Sequence, residues 1–165
     1  MAQDLPHILN WRRWNAETTL SGQPSEDQLA EIAALGVRRV INLGPHSNDG
    51  ALEDEAGTVA ALGMEYIYIP VDFEAPTGVD YAAFCDAISA GDGPTHVHCI
   101  YNARVSAFFY RYAKEGRGGD ATRAFALMDG IWRPGGVWAD FIGDDASLDQ
   151  PNRFEGYEYK LDTKA

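Results

Sequence analysis

The stretch VHCIYNARVSAF, at residues 97–108, brings a cysteine, an arginine and a serine close together in the chain. Cys99 ends a short apolar run, and Arg104 and Ser106 follow it at the beginning of an aromatic segment. A thiol between a strand and a helix faces unpaired backbone N–H groups, which favour a thiolate. The same N–H groups form an anion nest, and an arginine adds a planar fork for phosphate or sulfate. The combination predicts a phosphoryl-accepting site in which sulfur attacks while the donors hold the oxygens.

Each of these residues also has a purely structural interpretation. A single cysteine at a strand end is usually a small buried hydrophobe, and an arginine early in a helix is usually solvated. Cys85 lies on an apolar helical stripe and is assigned to the core for that reason. The joint arrangement at the end of a strand is what raises Cys99 above this background.

The composition limits the class of protein and its partners. A chain of 165 residues with 45% apolar and 23% charged residues is typical of a globular protein. We expect one domain at 1–142 and an acidic tail or strap at 143–165. The net charge of −12 disfavours nucleic acid and anionic membranes, because both reward a basic surface. Without a leader-like or membrane-spanning stretch, and with two cysteines, we expect a cytoplasmic protein.

No metal or cofactor is predicted. His96 and His98 flank Val97 on a predicted strand, and we expect them on opposite faces of the sheet. No spacing of cysteine and histidine in the chain fits a zinc site. The oligomeric state is left open.

The elements that must position the Cys99 stretch follow from periodicity and from caps. SGQPSEDQLAEIAALG predicts a helix, because Ser25 and Gln28 have capping-box spacing and Gly36 marks its end. The predicted order is weak strand character at 11–21, this first helix, a strand at 37–44, a helix at 52–63, a strand at 64–71, a helix at 79–90, a strand at 95–99, a helix carrying Val105, Phe108, Phe109 and Tyr112, a helix near 119–131 and a short helix at 137–142.

This alternation predicts an α/β fold. Its central sheet has about four to five mostly parallel strands, flanked by helices on both faces. In such a sheet, binding sites form at the carboxyl ends of the strands. Cys99 ends one strand, Asp72 follows another, and His46 and Asp49 follow a third. We therefore expect all three loops to open on the same edge of the sheet.

Four stretches of the chain resemble a known family: SGQPSEDQLAEIAALGVRRVINL, IPVDFEAPT, VHCIYNARVSAF and IWRPGGVWADFI. They are similar to the bacterial branch of the tyrosine/dual-specificity protein phosphatase superfamily, and especially to the phosphatase-like domain of beta-lactamase hydrolase-like proteins. The similarity runs over about residues 18–142. It implies a cysteine-phosphatase fold and a phosphomonoester hydrolase that needs no cofactor.

The spacing inside the loop departs from that superfamily. Its signature is His-Cys, five residues, Arg and then Ser or Thr, whereas four residues separate Cys99 from Arg104 here. Either one residue is deleted, or Ser106 keeps its usual place and the arginine lies one position early. We favour the second alignment, because Asn102 then occupies the glycine position and asparagine tolerates left-handed backbone well. Val105 then stands where the arginine usually is.

The resemblance implies roles for the residues of the loop. Cys99 is the expected nucleophile, and Arg104 is expected to hold the phosphoryl oxygens. His98 is expected to fix the loop and to favour the thiolate through hydrogen bonds rather than by charge, and Ser106 to stabilise the thiolate during hydrolysis of the intermediate. The residues expected to bind phosphate are Ile100, Tyr101, Asn102, Ala103, Arg104 and Val105.

A carboxylate outside the loop completes the expected chemistry. Asp72 resembles the general acid of the superfamily, and Glu74, two residues later in the same loop, is the alternative. The expected substrate is a phosphorylated small molecule or a phosphoprotein. Tyr101 is a candidate to line the pocket, whereas Trp132 is expected to pack in the core.

The sequence leaves two other functions open. CIYNAR also resembles the Cys-x-x-Gly-x-Arg loop of rhodanese-type sulfurtransferases, in which a smaller nest suits a persulfide on the cysteine. The flanking VINL, IPVD and the histidine before Cys99 are instead similar to phosphatases. The third possibility is an inactive phosphate-binding or interaction module, in which the displaced arginine has abolished turnover.

Overall fold

The computed structural model describes residues 3–91, 93–132 and 134–143. Five strands form one sheet: β1 (Arg12–Arg13), β2 (Thr18–Ser21), β3 (Arg39–Asn42), β4 (Glu65–Tyr68) and β5 (Thr95–His98). Their order is β1-β2-β5-β3-β4; β1 and β2 are antiparallel, and the other three pairs are parallel. The predicted mostly parallel sheet is therefore confirmed.

Six helices lie in the described residues: α1 (Glu26–Ala34), α2 (Glu55–Ala61), α3 (Gly78–Ser89), α4 (Ala103–Lys114), α5 (Ala121–Ala126) and α6 (Val137–Ile142). The predicted capping box between Ser25 and Gln28 opens α1. The helix predicted near 119–131 is shorter, and Met128 and Ile131 are buried in the turns that follow it. No helix in the described part of the chain is long and apolar enough to cross a membrane. From residue 144 onward, the predicted tail lies outside the described residues.

Each face of the sheet packs against its own apolar cluster. Val40 and Ile41 are neighbours on β3 and belong to different clusters, because successive side chains of a strand point to opposite faces. The cluster of Val40 contains Leu29, Ile32 and Val59 of α1 and α2. The cluster of Ile41 contains residues of the other four helices, among them Phe84, Phe108, Ala124 and Trp138. The helices therefore cover both faces, as the sequence predicts.

The two histidines of β5 correct one prediction. The sequence analysis expects His96 and His98 on opposite faces, and this is wrong because residues two apart on a strand share a face. Their rings stack with centroids 6.3 Å apart. Val97, between them, lies in the cluster on the other side of the sheet.

Three parallel strands end level with one another at one edge of the sheet. Asn42 at the end of β3 pairs with Tyr68 at the end of β4 and with His98 at the end of β5. The segments that follow these strands carry His46 and Asp49, Asp72, and Cys99, respectively. All three loops leave the same edge, as expected.

Phe84 is the aromatic centre of the contact between α3 and α4. Its fully buried ring meets the rings of Phe108, Phe109 and Tyr112 edge-on. We predict that Phe84→Ala lowers the free energy of unfolding by about 3–5 kcal/mol, because the truncation leaves a cavity that the packed neighbours fill incompletely. Chemical denaturation followed by circular dichroism measures this loss.

Val79→Ala, in the first turn of the same helix, is the control. Val79 is 80% exposed, so its truncation is expected to change the free energy of unfolding by less than about 0.5 kcal/mol. Similar losses for the two variants would contradict the packing described for Phe84.

Candidate active site

The loop between β5 and α4 consists of residues 99–102. Asn102 adopts φ 70° and ψ 11°, the left-handed backbone expected for the glycine position. Its Nδ2 donates to the carbonyl of Asn10 at 2.8 Å, and Nδ2 of Asn10, which also has a positive φ of 51°, donates to the carbonyl of Tyr101 at 2.8 Å. This reciprocal pair fixes the turn into α4 against the N-terminal segment.

Consecutive carbonyl oxygens of the loop are held by separate donors. The pairs are Leu43 N to His98 O (2.8 Å), His98 Nδ1 to Cys99 O (3.0 Å), Gln23 N to Ile100 O (3.0 Å) and Asn10 Nδ2 to Tyr101 O (2.8 Å). In a planar trans peptide the N–H points away from the C=O, so each N–H group of Ile100, Tyr101 and Asn102 points away from the bonded carbonyl before it. They adjoin the first turn of α4, whose N–H groups have no partner within the helix. Such an array is typical of an anion nest.

A fully buried contact between a histidine and a carboxyl group lies against the loop. His98 Nε2 contacts Glu55 Oε2, and Glu55 Oε1 accepts a hydrogen bond from Gln23 Nε2 at 2.9 Å. His98 and Glu55 are 0% and 2% exposed. Burial acts to raise the pKa of Glu55, but the charge of His98 and the hydrogen bonds from His98 and Gln23 outweigh it and hold that pKa below its ordinary value. Glu55 is therefore a carboxylate.

The neighbouring His96 is neutral. Its Nδ1 lies 2.8 Å from Thr19 Oγ1 and its Nε2 lies 2.7 Å from Ser21 Oγ. Ser21 gives its own proton to the carbonyl of Gly22, so it accepts from Nε2–H, and Thr19 donates to Nδ1. Burial, reinforced by the charge of His98, lowers the pKa of His96 well below its usual range. Two histidines on one face of β5 thus have different partners, two hydroxyls at His96 and a carboxyl group at His98.

Arg104 is buried in the first turn of α4 and is 1% exposed. Its Nη1 donates to the carbonyl of Val71 at 2.9 Å, and its Cζ lies 5.7 Å from the centroid of the Phe73 ring. Its Nε and Nη2 are buried and have no hydrogen-bond partner among the described residues. These two nitrogens form the side of the guanidinium that binds an oxyanion through two parallel hydrogen bonds. The bidentate side of the Arg104 guanidinium is therefore unpaired within the described part of the chain.

The loop after β4 carries both candidate general acids. Asp72 and Glu74 are exposed, and Asp72 Oδ1 accepts a hydrogen bond from Glu74 N at 2.9 Å. The residues on either side of Asp72 are fixed: Arg104 binds the carbonyl of Val71, and Trp138 Nε1 donates to the carbonyl of Phe73 at 2.7 Å. The Asp72 carboxylate is therefore exposed on a loop that α4 and α6 hold in place.

Ser106 and Trp132 are joined inside the core. Ser106 Oγ donates to the carbonyl of Ala103 at 3.0 Å and accepts from Trp132 Nε1 at 3.1 Å. The hydroxyl proton of Ser106 thus points to Ala103, and not to Cys99, in this arrangement. Trp132 is 0% exposed and packs in the core, as expected. Val105 is also 0% exposed and belongs to the same cluster.

His46 and Asp49, both predicted in the loop after β3, lie in different surroundings. His46 stacks on Tyr68 with ring centroids 3.8 Å apart, and its Nε2 lies 2.7 Å from the hydroxyl of Tyr66. Asp49 instead lines a cavity of about 430 Å³ together with Ile100 and Tyr101 of the Cys99 loop.

Two residues of the site were missed in the sequence. In the sequence, Glu55 is one of three acidic residues at the start of a helix. In the structure, Glu53 and Asp54 are exposed and Glu55 alone of the three is buried. Asn10 lies in a segment without periodicity, and no sequence signal connects it to a loop 91 residues away.

Comparison with known proteins agrees with this geometry. Residues 10–112 match the family described as the phosphatase-like domain of beta-lactamase hydrolase-like protein. The chain belongs to this family. The beta-lactamase hydrolase-like protein of Xylella fastidiosa (strain Temecula1 / ATCC 700964) is 33% identical over 94 residues, which cover 55% of this chain and 22% of that protein. The chain therefore spans about a fifth of the length of the curated relatives that it matches.

Solved structures show that the chain has a cysteine-phosphatase fold. A candidate phosphatase of the DUF442 group from Shewanella putrefaciens CN-32 is 30% identical with a TM-score of 0.74, over 87% of this chain and 95% of that chain. A variant of P. aeruginosa TpbA in complex with pTyr is 16% identical with a TM-score of 0.60, over 93% and 90% of the two chains. At that identity the likeness shows the fold alone. Family and fold together support a phosphatase.

The left-handed backbone of Asn102 gives a prediction for stability. Asn102→Ala and Asn102→Gly both remove the hydrogen bond to Asn10, but only alanine places a Cβ in the left-handed region. We predict that Asn102→Ala lowers the free energy of unfolding by about 1–2 kcal/mol more than Asn102→Gly. Urea denaturation of the two variants measures the difference, and equal losses would show that position 102 does not need this backbone conformation.

Proposed function

We propose that the chain is a cysteine-dependent phosphatase that hydrolyses a phosphomonoester through a cysteinyl-phosphate intermediate. The observation that carries this proposal is the guanidinium of Arg104, buried with Nε and Nη2 unpaired among the described residues. Buried donors without a partner are unfavourable, and a phosphoryl group supplies two acceptor oxygens with the spacing of this fork. The nest formed by the Cys99 loop lies at the start of the same helix.

The reaction then proceeds in two steps. The thiolate of Cys99 attacks phosphorus, so that an S–P bond forms and the P–O bond to the leaving group breaks, while Asp72 gives its proton to the leaving oxygen. Asp72, now a carboxylate, takes a proton from water, whose oxygen attacks phosphorus. The S–P bond breaks, and inorganic phosphate and the thiolate are released. Arg104 and the N–H groups of the loop hold the non-bridging oxygens in both steps.

The remaining predicted residues fit supporting roles. Ser106, bonded to Ala103 and Trp132, fixes the first turn of α4. For the thiolate-stabilising role predicted from the sequence, its proton must turn from Ala103 toward Cys99. Ile100, Tyr101, Ala103 and Val105 contribute backbone rather than side chains to the nest.

The surroundings of the loop favour a substrate with a single phosphate. No cation is among the residues that line the cavity beside Ile100 and Tyr101, and Asp49 is its one charged lining residue. The other lining residues are apolar or uncharged polar: Leu9, Gln23, Pro24, Ser25, Gln28, Gly50 and Leu52. With a net charge of −12, the protein repels polyanions. TpbA, which shares the fold, has been solved with pTyr. We therefore propose an aryl phosphate, free or in a phosphoprotein, as the substrate class.

The family match favours the phosphatase over the sulfurtransferase. Release of thiocyanate from thiosulfate and cyanide would instead support a persulfide on Cys99. Vanadate binding without turnover would support the inactive module.

We predict that the protein hydrolyses p-nitrophenyl phosphate in the presence of a metal chelator. Cys99→Ser is expected to abolish turnover, because a hydroxyl at this position is not ionised near neutral pH. Arg104→Ala is expected to lower kcat/KM. The expected loss corresponds to roughly 2–4 kcal/mol of transition-state stabilisation, which is typical for removal of one preorganised donor. Arg104→Lys is the matched control: it keeps the charge but not the fork, and should not restore activity. Full activity of Cys99→Ser would overturn the mechanism.

A second prediction separates the two candidate acids. Asp72→Asn is expected to lower kcat for phenyl phosphate about 10²–10⁴-fold, because phenolate needs a proton as it leaves. The loss should be smaller for p-nitrophenyl phosphate, whose leaving group is stable as an anion. Glu74→Gln, two residues along the same loop, serves as the control and should leave both rates unchanged. The opposite pattern would transfer the role to Glu74.

A further inference from the structure

The buried pair of Glu55 and His98 has a defined arrangement of protons. The carbonyl of Cys99 accepts hydrogen bonds and cannot donate, so His98 Nδ1, 3.0 Å away, carries a proton. The other ring nitrogen, Nε2, contacts a carboxyl oxygen of Glu55. Two states satisfy this contact: a carboxylate beside an imidazolium, or a carboxylic acid beside a neutral imidazole.

The second oxygen of Glu55 favours the ionised state. Gln23 Nε2 donates to Glu55 Oε1 at 2.9 Å, so in the ionised state both oxygens of Glu55 accept hydrogen bonds. A carboxylate with two donors is stabilised as an anion, in agreement with the lowered pKa of Glu55. His98 is then an imidazolium, with one N–H directed at Glu55 and the other at the backbone of Cys99.

Stability alone does not account for such a pair. Burying two charges costs several kcal/mol per ion, and apolar side chains of similar volume are often at least as stable. His96, on the same face of β5, is held by the hydroxyls of Thr19 and Ser21 and remains neutral. This face of the sheet thus accommodates a neutral histidine readily. His98 differs from His96 because the carboxylate of Glu55 lies against it.

We propose that Glu55 is a positioning residue of the site: its carboxylate holds His98 as an imidazolium whose Nδ1–H is bound to the Cys99 carbonyl, and the positive charge favours the Cys99 thiolate. The inference rests on the proposed function, in which that thiolate is the nucleophile. It replaces the uncharged role expected for His98 from the sequence.

Other titratable groups face this pair and must be accounted for. His96 lies on the same strand and is neutral. Tyr66 of β4 is electrostatically coupled to Glu55, and burial raises the pKa of its hydroxyl, so it is also neutral near pH 7. His46, in the segment after β3, acts on Glu55 as a charge. His46 is exposed, and its replacement serves as a control.

The test is a titration of the thiolate by its absorbance near 240 nm, with the Cys99→Ser protein as the blank in each background. The blank removes the signals of Cys85 and of the tyrosines, and the method needs neither reagent access nor substrate. Glu55→Gln keeps the shape and the contact with Gln23 but removes the charge. We expect the midpoint of the thiolate titration to lie about one pH unit higher, which corresponds to a tenfold lower acid dissociation constant of the Cys99 thiol. His46→Gln should move the midpoint much less.

A double variant tests whether Glu55 acts through His98. Glu55→Gln should cause no additional change in a His98→Gln background. An unmoved midpoint in Glu55→Gln, or an equal shift with and without His98, would overturn the inference. If circular dichroism shows that Glu55→Gln does not fold, Gln23→Met replaces it: loss of one donor to Glu55 should shift the midpoint in the same direction by a smaller amount, and no shift counts against the inference.

The two proposals can fail separately. A protein without phosphatase turnover whose midpoint still depends on Glu55 would support the positioning role and overturn the proposed function. An active phosphatase whose midpoint is independent of Glu55 would overturn the positioning role alone.

Discussion

The parallel pairing of β3 with β5 continues one residue beyond β3, where Leu43 N donates to the carbonyl of His98, the last residue of β5. This hydrogen bond fixes the point at which the chain leaves the sheet, immediately before Cys99. Everything at this edge depends on that register, because a slip by one residue would place His98 on the other face of the sheet. The alignment of three strand ends therefore determines which side chains share one site.

Polar groups at this edge are satisfied by elements that are distant in the chain. Carbonyl oxygens of the loop take donors from three other segments, and the loop with Asp72 is held between Arg104 and Trp138. The exceptions within the described residues include two nitrogens of Arg104. Both nitrogens lie on one side of the guanidinium, and that arrangement suits the two oxygens of an oxyanion.

Local sequence signals were sufficient to predict the secondary-structure elements and the turn of the Cys99 loop. A capping box marked α1, periodicity marked α3 and α4, and the residue type of Asn102 anticipated its left-handed backbone. The direction of the Arg104 side chain and the burial of Glu55 depend on segments 33 and 43 residues away, and composition does not reveal such pairings. The wrong prediction that His96 and His98 lie on opposite faces did not depend on distant segments. The two-residue period of a strand alone places both side chains on one face of the sheet.

The reciprocal hydrogen bonds between Asn10 and residues 101–102 link positions 91 and 92 residues apart. One side of the loop is therefore made by a segment that precedes the first strand. The strand, the Cys99 loop and the helix after it are consequently not sufficient by themselves to form this site. A gene fusion or rearrangement that transfers this site must carry the residues before β1 together with α4. The site can therefore be inherited only with the whole domain.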